Sequence, residues 1–242
     1  MGGVQKLCIW SGVAGATLLF LGLVPLMGFI PPIPPSADAT AVAAVYRHNG
    51  IGIIAGCSLL LGAFGMMIPF YSLISAHIER MEPAGSPLAK AQLGLAILAV
   101  CVPGTMAAMV WMVAAYRPGR SADTILLLND LGWMLLLAPV VSGLLQNLAL
   151  GIAVFNERSA APTFPRWFAY FNFWTGMAFL PGGLLGFFKT GPFAWNGFLC
   201  FWLGLSAFGV WFVVTVPLLF KAANCLSGDA GTGAKRFARS PI

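Results

Sequence analysis

The sequence predicts an all-α protein: a polytopic transmembrane helix bundle with six spans and both termini in the cytoplasm. Three observations support this fold class. Hydrophobic residues make up 59% of the chain and charged residues only 8%, whereas a soluble domain has about 25% charged residues. The apolar residues form six long runs, and most basic residues lie between alternate runs. With so little charge the chain cannot cover a water-facing surface, which excludes a soluble globular domain.

Each of the six runs is long enough to cross a bilayer as an α-helix, which takes roughly 20 apolar residues. A β-barrel would show alternating segments of about ten residues instead, and a helix pairs all its backbone polar groups within one segment. The first run is longer than the core of a signal peptide, about 7–15 residues, so we expect it to stay in the membrane. The predicted spans are Leu7–Ile30, Ile51–Ala76, Leu93–Tyr116, Ile125–Phe155, Trp167–Phe188 and Phe193–Phe220.

The basic residues predict the orientation. With the N-terminus inside, nine of the 13 Lys and Arg residues fall in cytoplasmic segments and four in outer loops, as the positive-inside rule requires. The net charge of +6 therefore indicates topology and contacts with anionic lipid rather than nucleic-acid binding. We expect a bacterial cytoplasmic (inner) membrane, with residues 1–220 as the six-helix domain and 221–242 as a basic, disordered cytoplasmic tail. The expected partners are the lipid bilayer and either another membrane subunit or further copies of this chain.

Each predicted span contains one interior proline, which removes a backbone hydrogen bond and tends to kink a helix. One interpretation is a set of hinges in a transporter. The other is that neighbouring helices satisfy the freed carbonyls, so that the prolines are merely tolerated. The six are Pro25, Pro69, Pro103, Pro139, Pro181 and Pro217.

Two further patterns concern packing. Gly52 and Gly56 form a small-xxx-small pair, which predicts a close approach of two helix backbones. Met106, Met109 and Met112 form a row of thioethers at three-residue spacing. A copper site is one interpretation of this row, and we favour packing in the core.

Ionisable residues inside spans are costly and often functional, and Asp130 is the clearest example. It follows Asn129 about one turn into the fourth run, and Trp133 lies on the same helix face. One hypothesis is an outer-leaflet pocket in which Asp130 pairs with a basic residue, and the alternative is an interfacial salt bridge that locks helix ends. The polar residues expected at this depth are Arg47, His48, Asn49, Arg117, Lys189 and Asn196, of which Arg47, Arg117 and Lys189 are the candidate partners.

A second, uncharged polar layer is expected deeper in the bundle. Gln146 and Asn147 lie in the fourth run with Ser142 one turn earlier, and Asn172 lies in the fifth. Asn147 is roughly 12 Å and Asn172 roughly 9 Å from the ends of their helices. Consecutive helices usually neighbour each other, so we expect these two asparagines to hydrogen-bond. The layer is interpreted either as a solute-binding layer or as a contact that holds the helices together.

The sequence predicts no metal, no cofactor and no catalytic residue. His48 and His77 are 29 residues apart, roughly 43 Å if the chain between them is helical, so they cannot ligate one centre. The cysteines form no CxxC pair, and the chain contains no GxSxG, phosphate-loop or HExxH motif.

Three stretches support a resemblance: LLNDLGW (Leu127–Trp133), FPRW (Phe164–Trp167) and FFKTGPFAWNG (Phe187–Gly197). Together with the six-helix layout, they resemble a group of uncharacterised bacterial integral membrane proteins. The resemblance covers most of the chain and implies the six-helix plan. It brings no assigned activity and no catalytic residues, and it draws attention to Asn129, Asp130, Lys189 and Asn196.

Three function classes follow from these features. The first is a protein that binds or transports a small apolar or neutral solute, favoured by the prolines and by the two polar layers. The second is an accessory or structural subunit of a larger membrane complex, favoured by the small number of buried ionisable groups. The third is a membrane enzyme that uses Asp130 with a basic partner. It is the least favoured, because acid–base or metal chemistry needs several converging titratable groups.

Overall fold

Long apolar helices make up most of the chain. The computed structural model describes the backbone of residues 2–83 and 86–237, and the side chains of residues 3–83 and 86–224. Within these ranges every regular element is helical, and five segments are long and apolar enough to cross a membrane. This architecture fits an integral membrane protein, as predicted. The five spans are Gly3–Leu26, Gly50–Met81, Leu88–Tyr116, Ala122–Asn156 and Phe198–Asn224.

The helices are interrupted at several places. Three short π-helical turns, Gly22–Leu26, Ile97–Cys101 and Phe198–Trp202, and a 3₁₀-helix, Leu180–Phe187, lie between or beside α-helices. The first, third and C-terminal spans therefore each contain a π-turn, whereas α3 alone forms the second span. The α-helices are α1 (Gly2–Leu21), α2 (Ala39–His48), α3 (Gly50–Met81), α4 (Leu88–Ala96), α5 (Val102–Tyr116), α6 (Ala122–Leu137), α7 (Val140–Asn156), α8 (Trp167–Ala178) and α9 (Leu203–Phe237).

The fifth predicted run is helical but not continuous. The α-helix α8 has 12 residues, and a 3₁₀-helix of eight residues, with the sequence LPGGLLGF, follows it. Proline and glycine have the lowest helix propensities, which explains why the α-helix ends at this point. At roughly 18 Å, α8 alone is shorter than the hydrocarbon core of about 30 Å. The six-span plan and the cytoplasmic position of both termini thus stay predictions.

The helix α2 was not predicted, because its ten residues are too few for a span. It lies in the long loop between the first and second spans. Asp38 precedes it, and the carboxylate accepts a hydrogen bond of 2.8 Å from the backbone N–H of Ala41, as an N-cap does. Val42, Ala43 and Tyr46 are buried and anchor α2 to the bundle. The local signal was an aspartate followed by apolar residues at helical spacing.

Four of the six predicted kink sites coincide with an interruption. Pro25 lies in the first π-turn, and Pro103 lies two residues after the second, in the first turn of α5. Pro139 separates α6 from α7, and Pro181 is the second residue of the 3₁₀-helix. The other two, Pro69 and Pro217, lie inside the continuous helices α3 and α9. The regular α-helix is thus interrupted near a proline in the first, third and fourth spans and after α8.

The predicted close approach of helix backbones is confirmed at Gly56. A Cβ placed on Gly56 would lie 2.8 Å from the carbonyl oxygen of Gly22, and one placed on Gly22 would lie 2.9 Å from that of Gly56. A Cβ on Gly52 would meet the carbonyl oxygen of Leu26 at 2.5 Å. The first and second spans therefore cross with their backbones in contact, which only glycine permits.

Two of the three methionines in the row face outward. Met106 is 47% exposed and Met109 is 56% exposed, while Met112 packs against the buried core. Core packing was therefore the wrong interpretation for Met106 and Met109, because the three-residue spacing gives the helix face but not which face is buried. These two thioethers lie on the apolar surface that a bilayer would cover.

The C-terminal span reaches at least Asn224, where the described side chains end, and the backbone of α9 continues as a helix to Phe237. The side chains of residues 225–242 and the whole of residues 238–242 lie outside the described part of the chain. The division into a domain of residues 1–220 and a disordered basic tail of residues 221–242 stays a prediction.

Candidate binding cavity inside the helix bundle

An elongated cavity of about 190 Å³ lies between the spans. Leu60 and Tyr71, both on α3, line it, as do Cys200 and Trp211 in the C-terminal span. Each pair is eleven residues apart, which corresponds to roughly 16 Å along a helix. The cavity is therefore a narrow slot parallel to the helices. Its other walls are formed by the first, third and fourth spans and by Phe179 after α8.

The helix interruptions converge on this slot. Each of the five interruptions contributes a lining residue at or directly beside it: Leu23, Val100, Pro139, Phe179 and Phe201. Irregular backbone at membrane depth is tolerated where it is buried in protein or lines a cavity, and π-turns are frequent at functional sites. The helix interruptions thus border a common cavity, and Pro139 itself lines it.

One aromatic ring closes the wall between α7 and α9. A Cβ placed on Gly143 would lie 3.5 Å from Cδ2 of Phe179, and one on Gly204 would lie 3.8 Å from Cδ1 of the same ring. Phe179 thus fills the gap that these two glycines leave. A side chain could be added at Gly143 or Gly204 without a clash at its Cβ, because the nearest atoms would be at ordinary van der Waals distances.

Three buried polar atoms on the cavity wall have no hydrogen-bond partner among the described residues. They are Nε1 of Trp133, Nε2 of Gln146 and Oδ1 of Asn147, and all three residues line the slot. The other amide atom of Asn147, Nδ2, donates a bond of 2.8 Å to the carbonyl oxygen of Gly143. An unpaired buried polar group costs about 1–3 kcal/mol, so a group of this kind needs an explanation. A bound solute with hydrogen-bonding atoms supplies one.

Of the sequence-predicted site residues, Trp133 and Asn147 line this slot, and Asn129 and Asp130 do not. Those two form an outer polar cluster with Tyr46. The phenol of Tyr46 donates to Oδ1 of Asn129 at 3.2 Å, and Nδ2 of Asn129 donates to Oδ1 of Asp130 at 3.2 Å. The indole N–H of Trp111 donates to the carbonyl oxygen of Asn129 at 3.4 Å. Burial raises the pKa of Tyr46 well above its ordinary value, so its phenol stays a neutral donor.

The predicted basic partners are not gathered around Asp130. Arg47 donates from Nη2 to the carbonyl oxygen of Arg120 at 3.1 Å, and His48 and Arg117 are exposed. Lys189 is also exposed, and its charge acts on Asp130. Within the described residues Asp130 forms no direct ion pair, and its hydrogen bond is to Asn129. The structure therefore places these residues near helix ends without forming a pocket from them.

The predicted hydrogen bond between Asn147 and Asn172 is absent. Asn172 donates from Nδ2 to the carbonyl oxygen of Phe168 at 2.7 Å, and its Oδ1 accepts a bond of 2.9 Å from the indole of Trp211. Asn147 instead packs against α8 at Gly176, where an added Cβ would lie 3.3 Å from the Cβ of Asn147. The two helices are neighbours as predicted, but depth alone does not give the direction in which each side chain points.

Among the other lining residues, Gln146 was predicted as part of the polar layer. Tyr71, Phe179 and Phe208 were not predicted, because they lie in apolar runs where nothing distinguishes them from packing residues.

Among the described residues, no group of three or more His, Cys, Asp or Glu side chains could hold a metal ion. His77 is buried with both ring nitrogens unpaired and packs edge-on against Phe164, at 5.8 Å between centroids.

We expect Tyr46→Phe to destabilise the protein by about 0.5–1.5 kcal/mol, because it removes a buried hydrogen bond and leaves Oδ1 of Asn129 without its phenol donor. The measurement is thermal unfolding in detergent micelles. Tyr116→Phe is the control, because Tyr116 is 67% exposed. Equal unfolding temperatures for the two variants would show that the outer polar cluster contributes nothing to stability.

No protein-family model, curated protein or solved structure matches this chain. The resemblance to bacterial six-helix membrane proteins therefore stays a prediction. The slot and the unpaired polar atoms on its wall are the features that indicate a function.

Proposed function

We propose that the protein binds a small, largely apolar, uncharged solute in the slot and transports it within or across the membrane. The observation that carries this proposal is a narrow apolar slot whose wall presents two unpaired hydrogen-bond donors and one unpaired acceptor. Ligand sites are generally apolar clefts with a few well-placed polar groups, which is the composition of this wall.

Size and charge limit the solute. An apolar cavity of about 150 Å³ holds benzene, so a slot of about 190 Å³ takes a somewhat larger molecule. Its length of roughly 16 Å favours an elongated one. Among the described residues no charged side chain lines the slot, and an unpaired ion in such surroundings would lose its hydration without compensation. A neutral molecule with one or two hydrogen-bonding groups is the best fit.

Transport is favoured by the interrupted helices. Discontinuous helices that meet at a central site are typical of transporters, where helix segments on either side of the site move against each other. Here the breaks at Pro139 and after Phe179, together with three π-turns, lie on the slot. They are the positions where the segments could reorient without breaking a regular helix.

The proposed topology keeps six spans and both termini in the cytoplasm of a bacterial inner membrane. The support for a sixth span is length: α8 contributes roughly 18 Å, and the eight residues of the 3₁₀-helix contribute roughly 16 Å. Together they match the hydrocarbon core of about 30 Å. With this count the basic residues keep their excess on the inner side.

The test is native mass spectrometry of the protein extracted gently from its own membrane, comparing Gly204→Leu with Gly209→Leu. Both glycines are in α9, but Gly204 lines the slot, while a Cβ on Gly209 would meet nothing within 4 Å. We expect a small molecule bound to the wild type and to Gly209→Leu. Filling the slot should reduce its occupancy in Gly204→Leu by about tenfold or more, or roughly 1.4 kcal/mol.

Other outcomes favour the other classes. Equal occupancy in both glycine variants would contradict binding in the slot. A second protein bound at fixed stoichiometry, with no small molecule, would favour the accessory-subunit hypothesis. Asp130→Asn should leave occupancy unchanged, since Asp130 does not line the slot. Loss of the small molecule in that variant would instead favour an outer site, or an enzyme in which Asp130 acts with Lys189.

A further inference from the structure

A second apolar depression lies on the outer surface of the bundle, between α5 and α6. Its volume is about 410 Å³, and we call it the lateral groove. Leu131, Met134 and Met106 on its wall are all at least 40% exposed, so the groove faces the region that lipid chains would occupy. The lining side chains also include Leu98, Leu135, Ala138 and Pro139.

The lateral groove and the slot meet at the break in the fourth span. Pro139 lines both. On either side of it the walls continue through sequence neighbours: Leu98 lines the groove and Ala99 the slot, and Leu135 lines the groove and Leu136 the slot. The junction thus lies between the π-turn Ile97–Cys101 and the end of α6.

We propose that the ligand is a single-chain lipid with a neutral hydroxyl head, which enters from the bilayer beside Pro139, places its head in the slot and leaves its chain in the lateral groove. This inference rests on the proposed binding function and names the class of ligand. It also makes the lateral groove part of the site.

Two adjacent residues determine the chemistry of the head group that the slot can bind. Gln146 presents an unpaired N–H donor and Asn147 an unpaired carbonyl acceptor on the slot wall. A hydroxyl donates one hydrogen bond and accepts two, so it can pair with both amides. A carboxylate or phosphate head could not donate to Asn147, and the slot has no cation to compensate its charge.

The volume of the slot determines where the hydrocarbon chain of the ligand lies. A slot of about 190 Å³ cannot enclose a long hydrocarbon chain as well as its head. Lipid tails are as apolar as leucine side chains, so a chain that moves from the bilayer into the lateral groove gains or loses little free energy. The groove therefore removes the need to extract the chain from the membrane, and the affinity comes from the head.

The experiment uses the full-length protein in phosphatidylcholine nanodiscs with two photoactivatable hexadecanols. One carries its diazirine next to the hydroxyl and the other at the end of the chain. Labelled residues are mapped by mass spectrometry. Met109 is the internal control for Met106, because it is exposed on the same helix but does not line the lateral groove. Photoactivatable hexanol, whose short chain fits the slot alone, is the third probe.

We expect the head-labelled probe to modify residues around Gln146 and Asn147. The chain-labelled probe should modify Met106 about tenfold more than Met109, which corresponds to roughly 1.4 kcal/mol of preference. This preference should disappear in Asn147→Leu, which removes the acceptor. It should also disappear in Ala138→Trp, which fills the mouth of the groove, but not in Val141→Trp, since Val141 is exposed and lines neither site.

The outcomes separate this inference from the proposed function. If hexanol labels the slot but chain-labelled hexadecanol modifies Met106 and Met109 equally, the lipid ligand and the lateral entry are overturned and the solute-binding slot stands. If no probe labels the slot above the level of the Gly204→Leu variant, both fail.

Discussion

Gly56→Ala should be among the most destabilising single-methyl additions in this protein, at about 1–3 kcal/mol. The new Cβ would meet the side chain of Met27 and lie 2.8 Å from the carbonyl oxygen of Gly22. A backbone oxygen cannot rotate away as the end of a side chain can. The first and second spans would have to separate, which would cost dispersion contacts along their whole crossing.

The matched control is Gly65→Ala, nine residues further along the same helix α3. A Cβ there would meet nothing within 4 Å, and alanine has a higher helix propensity than glycine by about 1 kcal/mol. This variant should be neutral or slightly stabilised in thermal or denaturant unfolding in micelles. An equal loss of stability in both variants would show that α3 tolerates no added methyl, rather than that the Gly22–Gly56 crossing is special.

The second large effect concerns Asn172 and Trp211. In the described part of the chain, theirs is the only side chain–side chain hydrogen bond between α8 and α9. Asn172→Leu leaves the buried indole N–H without an acceptor, and Trp211→Phe leaves the amide oxygen without a donor. Each should cost about 1–3 kcal/mol. The double variant removes both polar partners, so its loss should be smaller than the sum of the single losses.

The coupling between these two residues separates the two interpretations of the polar layer. An interaction energy with a magnitude of about 0.5–3 kcal/mol, in which the double variant loses less stability than the sum of the two single variants, would identify Asn172 as a contact that holds the helices together. Strict additivity would mean that the bond contributes nothing, and the solute-binding interpretation of Asn172 would regain weight. Gel filtration of all three variants checks that each remains folded and monodisperse before unfolding is compared.

The sequence was sufficient for the membrane character and most helix positions, because both depend on long apolar runs that composition reveals directly. It was also sufficient for the breaks at Pro25, Pro103, Pro139 and Pro181, since a missing N–H acts locally. It did not predict α2, because a helix of ten residues in a loop is too short to be recognised as a span. Nor did it show that the run Trp167–Phe188 divides into two kinds of helix.

The candidate site was only partly predictable, for a geometric reason. Depth along a helix follows from the rise per residue, so Asn147 and Asn172 could be placed at a similar level. The direction of each side chain depends on how the helices rotate about their own axes, which hydropathy leaves undetermined in a span that is apolar on all sides. Asp130 was predicted as a site residue because it is charged, whereas the cavity is lined by uncharged residues such as Gln146 and Trp133.

The position of the helix interruptions around one cavity has a mechanical consequence. A regular helix is stiff because every turn is hydrogen-bonded to the next, and at each π-turn or break that pattern is altered. Five such points border the slot, whereas α3 passes it as one continuous helix. A guest bound in the slot would restrict the interrupted segments relative to that continuous helix, so occupancy of the slot would change how far those segments move.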